Sequence, residues 1–185
     1  MKRRNFLQLS TLAGVGLTLP MSSILQSCSS HPAHSLEFKN LISGLLKDWS
    51  DGMLKVQINN PSNLDIHGAL GCPSCSHIHG RCMDAVYPFL YMADKTGDEK
   101  YVEGAKLVML WAENNVSQEN GAWTVIKNPK SWKGITVFGA IALAEALHYH
   151  GHVLDEETRK AWTIRLEKAG QYIYDTFTID FTNIN

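Results

Sequence analysis

At 185 residues, 44% hydrophobic and 19% charged, the chain has the length and apolar content for one domain with a buried core. Seventeen Lys and Arg against eighteen Asp and Glu leave a formal net charge of -1. A balance this close to zero gives no basic face for nucleic acid, and no nucleic-acid partner is expected.

The chain opens on Lys2-Arg3-Arg4-Asn5-Phe6-Leu7 and a short apolar run from Leu9 to Leu19, a cationic end ahead of a hydrophobic stretch, which is the pattern of an export signal. Arg3 and Arg4 followed by x-Phe-Leu resemble the twin-arginine type, with Lys2 where that pattern carries Ser or Thr. Pro20 interrupts the apolar run, which is shorter than the roughly 18 residues of a membrane span. Leu25-Gln26-Ser27-Cys28 resembles a bacterial lipobox, so residues 1–27 are expected to be removed and Cys28 lipidated, with residues 28–35 as a flexible tether. Loss of residues 1–27 moves the net charge from -1 to -4. The expected partners at this end are the export machinery and a membrane; the expected location is the periplasm or cell envelope. A twin-arginine route would carry the protein already folded, either because a thiol-bound metal must be loaded first or because folding is fast.

Helical periodicity dominates the remainder. Phe38, Leu41, Ile42, Leu45, Leu46 and Trp49 predict a helix over 35–49 with that face buried, ending near Gly52. Residues 52–80 read as irregular, with a turn cluster at 59–63. A helix from about Arg81 to Lys95 is expected to kink at Pro88 and stop at Gly97; Asp98 caps the next, to about Asn115. Residues 116–133 form a loop. Ile135 to Tyr149 is apolar nearly all round and predicts a helix enclosed on every side, and Asp155 caps a last helix to about Phe177 with Trp162, Leu166, Ala169 and Ile173 on its buried stripe. Helical hairpins recur at about 50 residues. The fold class expected is all-α, with residues 36–185 forming part of an (α/α) toroid. Five helices are too few to close such a ring, and an amino-terminal portion of a longer protein is expected.

Residues 72–82, Cys-Pro-Ser-Cys-Ser-His-Ile-His-Gly-Arg-Cys, hold the densest chemistry of the chain. Cys72, Cys75 and Cys82 with His77 or His79 supply the sulfur and nitrogen set that zinc favours. The same spacing also fits a disulfide with one thiol left over, or a redox pair, and these readings stay open here. His148, His150 and His152 alternate at a helix end; residues two apart do not share a face, so no joint metal site is expected.

Thr96-Gly97-Asp98-Glu99-Lys100-Tyr101 between two helices, and Trp132-Lys133-Gly134-Ile135-Thr136 opening an apolar helix, resemble the toroid half of bacterial carbohydrate-active enzymes, nearest to heparinase II/III-like and related uronate polysaccharide lyases. The resemblance implies β-elimination on an acidic polysaccharide or oligosaccharide. Its chemistry needs a base for the proton α to a carboxylate, a group that neutralises the carboxylate, and an acid for the departing oxygen. His79 and His67 are the candidate bases, and Arg81 the carboxylate clamp. Alternatively Arg81 pairs with Asp84 and His79 caps the helix start. Trp123 and Trp132 offer flat faces for sugar stacking, unless they pin the loop to the core. Two other readings are a carbohydrate-binding or scaffold lipoprotein without catalysis, and a toroid glycoside hydrolase using two of Asp65, Asp84 and Glu145.

Overall fold

The computed structural model describes residues 32–75 and 77–178. The expected leader with Arg3 and Arg4, the lipobox at Cys28 and residues 181–185 lie outside the described residues. The elements are α1 (Pro32–Val56), a 3-10 turn (Gly80–Ala85), α2 (Val86–Thr96), α3 (Glu99–Asn115), α4 (Ile135–His150), a second 3-10 turn (Gly151–Val153) and α5 (Glu156–Thr176). Between them run isolated antiparallel bridges, Gln57 with Leu70, Gly71 with Ile78 and Ser117 with Trp123. The fold is all-α, as the periodicity predicts. No helix among the described residues is long and apolar enough to cross a membrane.

The chain divides into two compact units, residues 1–40 and 41–185. Of the first, the described part is the opening of α1, which starts at Pro32, so residues 32–35 are helical where a flexible tether was expected. Proline suits a first helical position, because its fixed φ is already helical and its missing N–H has no intrahelical acceptor there. Leu36 and Phe38 are exposed.

In the second unit α1 continues through Gly52 to Val56. The face expected to be buried is open: Leu41, Ile42, Leu45 and Trp49 are exposed, Trp49 to 62%. Of the expected face Leu46 does pack against the core, and it does so beside the adjacent stripe, with Ser50 buried and Met53 and Leu54 packed against the core. Periodicity locates an apolar arc; which edge of the arc is covered depends on neighbours it does not see. Tyr101 Oη donates to Asp51 Oδ1 at 2.7 Å, and Gln57 Nε2 donates to the carbonyls of Gly68 (3.1 Å) and Gly104 (2.9 Å), tying the end of α1 to α3 and to the loop after it.

Pro88 makes no kink. It is the third residue of α2, inside the first turn where N–H groups lack partners, and the direction of the chain is set by the preceding 3-10 turn. Gly97 ends α2 in the left-handed conformation (φ 69°), its N–H donating to Ala93 O. Asp98 and Asp155 cap α3 and α5, accepting from the Lys100 N–H (3.1 Å) and the Thr158 N–H (2.7 Å).

α2 packs on α3 and α4, and α4 on α5, around Met83, Phe89, Leu90, Tyr101, Val108, Met109 and Leu143. α4 is not enclosed on all sides. Ile135, Gly139, Leu143 and Ala146 are buried, whereas Phe138 (44%), Ile141 (58%) and Tyr149 face outward. Its nearly all-apolar sequence hides this asymmetry, since only Glu145 and His148, both exposed, mark the outer face as polar. α5 buries the predicted Trp162 and Ala169, and with them the unpredicted Arg165.

Candidate functional site

The irregular segment from 57 to 79 delivers the sulfur- and imidazole-bearing loop to the first turn of the α2 hairpin. Its earlier part is fastened to α3: Trp111 Nε1 donates to Asp65 O (2.9 Å) and Asn115 Nδ2 to Leu64 O (2.9 Å). Within it His67 Nδ1 accepts from the Asn60 N–H at 3.1 Å. The later part closes as a small loop, with Cys72 N donating to His77 O at 3.2 Å. His79 then caps the 3-10 turn, its Nδ1 accepting from the Arg81 N–H at 3.1 Å.

These bonds fix tautomers. A neutral imidazole whose Nδ1 accepts carries its proton on Nε2. His67 and His79 therefore present an N–H at their remaining nitrogen, a donor rather than the lone pair that a base needs. Arg81 is likewise committed. Its Nε (2.8 Å) and Nη2 (2.7 Å) both bind Asp84 Oδ2, and its guanidinium lies 4.6 Å from the Phe138 ring centroid. The paired edge expected to grip a substrate carboxylate is thus turned on Asp84, leaving Nη1. Asp84 is perturbed in return: burial pushes its carboxyl up from the ordinary range, against the Arg81 charge, and its buried Oδ1 has no hydrogen-bond partner among the described residues. It is the carboxylate here with a raised pKa, a mark shared by acids in active sites.

The four expected zinc ligands do not assemble; among the described residues no three of His, Cys, Asp or Glu are arranged to hold a metal ion. Cys72, Cys75 and Cys82 are free thiols. Cys82 is half-buried, with burial pushing its thiol up to about 12, while Cys75 and His77 are exposed. Trp123 is not available to a sugar ring, since it is fully buried and its Nε1 donates to Glu113 Oε1 (3.1 Å). Trp132 folds over Gly134 and keeps 37% of its surface exposed.

A second polar cluster was not legible. Asp94 Oδ2 accepts from His150 Nδ1 and its Oδ1 from His152 Nε2, each at 3.0 Å. The histidines converge because α4 ends at His150 and the 3-10 turn swings His152 back, so the helical rule that separates residues two apart no longer applies. Since a carboxylate only accepts, each imidazole donates to it through the nitrogen that faces Asp94. The Tyr87 and Tyr91 rings stand 5.8 and 5.4 Å from that of His150. A helix end followed by Gly151 is the one sequence signal that could have flagged it.

His150 holds the Asp94 carboxyl below its ordinary 3.8, with His152 adding to the effect. The unfolded chain then takes up this proton first, so the stability Asp94 contributes is complete above the unfolded value and is lost as pH falls through the folded one. Thermal midpoints against pH are expected to fall more steeply below about pH 4 for the wild type than for Asp94→Asn. Parallel curves would remove Asp94 from the acid response.

The profile of the ulvan lyase N-terminal domain matches residues 46–185. A broad-specificity ulvan lyase of Formosa agariphila is 80% identical over all 185 residues, and the chain spans 29% of the length of that relative. Among solved structures, a polysaccharide lyase (BACCELL_00875) superposes with a TM-score of 0.56 over 73% of this chain and 22% of its own, at 14% identity, a likeness of fold alone. A profile matched over most of the chain, with a relative 80% identical across all of it, shows that this protein belongs to the ulvan lyase N-terminal domain family.

Proposed function

We propose that this chain is the amino-terminal helical part of a polysaccharide lyase that cleaves ulvan, as an acidic uronate-bearing glycan, by β-elimination. The observation that carries the reading is the 80% identity to an ulvan lyase without a gap in coverage of this chain. In that reaction a base removes the proton α to the uronate carboxylate, the electron pair becomes a carbon–carbon double bond, and the glycosidic oxygen leaves with a proton. The residues here suit contact with substrate: His79 donates through Nε2, Arg81 offers Nη1 to the carboxylate, and Trp132 offers a ring face. Neither His79 nor His67 is set up by its hydrogen bonds to take the proton. The same reading exports the protein on its Arg3-Arg4 leader and tethers it to the cell envelope through lipid on Cys28.

Full-length enzyme recovered from the membrane fraction, where Cys28→Ser should be absent, is incubated with ulvan while the ultraviolet absorbance of the new double bond is followed. Rising absorbance is expected. Glycan binding with flat absorbance would replace the lyase reading with a binding module. His79→Asn keeps a good cap for the 3-10 turn but withdraws the long-reach donor, and kcat/KM is expected to fall by about 10²-fold. Unchanged turnover would take His79 out of the mechanism.

A further inference from the structure

The three thiols of the 72–82 segment have separate fates in the fold. Cys72 and Cys75 stand three residues apart at the two ends of one short turn, Cys72 half-buried and Cys75 exposed. That turn is closed at its base by the bridge between Gly71 and Ile78 and by the Cys72 N–H donating to His77 O, so the backbone keeps the two cysteines within one small closed loop. Cys82 lies beyond His79 on the 3-10 turn, half-buried, its sulfur engaged by the backbone of Leu70 and next to the Asp84 charge. Removal from water and a neighbouring carboxylate both disfavour its thiolate, the form that attacks disulfides and binds metals.

We propose that Cys72 and Cys75 are an oxidative modification site, closing to an intramolecular disulfide in the exported protein and leaving Cys82 as a reduced thiol. The bond ties off the base of the loop that leads into His79 and Arg81, the groups assigned above to substrate contact. Its occurrence in cells rests on the export reading; its chemistry does not. The co-reactant is a disulfide donor. The Cys72 thiolate attacks one donor sulfur, breaking the donor S–S bond and releasing one donor thiolate. The Cys75 thiolate then attacks the Cys72 sulfur of the mixed disulfide and releases the second. One S–S bond forms and one breaks, two electrons pass to the donor, and the two thiol protons end on the donor thiols. Cys72 is the better attacker. The Cys75 thiol and the backbone N–H groups of Ser74 and Cys75 hold its pKa below the ordinary value, while burial holds that of Cys82 above it.

The sequence offers a direct readout. Trypsin cuts after Lys55 and Arg81, so residues 56–81 leave as one peptide holding Cys72 and Cys75, and Cys82 opens the next, residues 82–95. Reduced full-length protein is equilibrated with glutathione disulfide, denatured, alkylated with iodoacetamide, digested and weighed. The expected result is a 56–81 peptide lighter than its reduced form by two hydrogens and carrying no alkyl group, with Cys82 fully alkylated. Cys82→Ser should leave this closure intact, and Cys75→Ser should convert it to a single glutathione adduct. Peptide 56–81 doubly alkylated, carrying glutathione in the wild type, or joined to 82–95 would overturn the proposal. A second arm traps thiols with iodoacetamide at lysis, without added oxidant. A closed peptide in the envelope fraction supports the proposal, and an open one in that fraction overturns it. Protein found open and only in the cytoplasm, yet closing with glutathione disulfide, would leave the thiol chemistry standing and sink the export reading instead.

Discussion

Arg165→Met is expected to lower the unfolding free energy by about 3 kcal/mol. The guanidinium is buried and every edge of it is used. Nε binds Glu113 Oε1 and Oε2 (2.9 and 3.0 Å), Nη1 the Gly121 carbonyl (2.9 Å) and Nη2 the Ala122 carbonyl (3.3 Å), while the plane lies 3.7 Å from the Trp123 ring centroid. Methionine fills the volume and strands the Gly121 carbonyl, worth roughly 1 to 3 kcal/mol when left unpaired, while the Ala122 carbonyl keeps the Gln118 N–H as a donor (2.9 Å). The cation–π contact adds about 1 kcal/mol. Glu113 softens the total, since its side chain is 39% exposed and regains water. Arg165→Lys keeps the charge but not the fork, and is expected to recover less than half of the loss. Glu113→Gln should cost much less than either. Urea midpoints followed by tryptophan fluorescence read all three. An Arg165→Met midpoint close to wild type would mean that loop 116–133 is held by the Trp123 and Thr136 contacts alone.

That arginine also marks the limit of what the sequence discloses. Asp98, Asp155 and Gly97 were legible because capping is local chemistry, decided within three residues of each helix end. The stripe Trp162, Leu166, Ala169 and Ile173 was legible from its three- and four-residue spacing, which repeats along one helix face. Arg165 stands next to Leu166 and reads as solvated charge; its burial depends on Glu113, 52 residues earlier, and on two carbonyls of a loop with no periodicity. Trp123 and Trp132 look alike as loop tryptophans, yet one is fully buried and the other half open, because only Trp123 meets Glu113 and Arg165. α1 and α4 failed in the opposite sense. Their apolar residues were read as buried because apolar periodicity records which surface avoids water, yet Trp49 and Ile141 stay largely exposed, and Phe138 is 44% exposed with only the Arg81 guanidinium described over its ring.

The candidate site shows the same division. The density of residues 72–82 was visible as composition, and the pairing of Arg81 with Asp84 and the capping by His79 were visible as local options three and two residues apart. The tautomers that turn His79 and His67 into donors were not, since they follow from backbone N–H groups placed by the fold. Nor was the sharing of Asp94 by His150 and His152, which spans 56 and 58 residues.

Gly80→Ala is the second large effect expected, and it separates the position of the loop from its chemistry. Gly80 starts the 3-10 turn at a close approach to the loop before α4. Its N–H donates to Val125 O at 2.6 Å, and a Cβ there would stand 2.2 Å from Thr124 O, 2.7 Å from Ile135 Cδ1 and 3.1 Å from Val125 O. The nearest atom is a carbonyl oxygen of a buried residue, which has no rotamer to move into, so the backbone itself must separate. A loss of about 3 kcal/mol is expected, at the upper end for overpacking because backbone meets backbone. The displacement falls on His79 and Arg81, the two neighbours of Gly80, so on the lyase reading proposed above KM for ulvan should rise in the full-length protein more than stability alone explains. Gly44→Ala supplies the comparison: it lies inside α1 with nothing within 4 Å of the new Cβ, and a gain of roughly 0.5 to 1 kcal/mol is expected there. Equal midpoints for the two variants would show that the 3-10 turn yields without resistance, and the loop could then not hold His79 and Arg81 in a fixed place against a substrate.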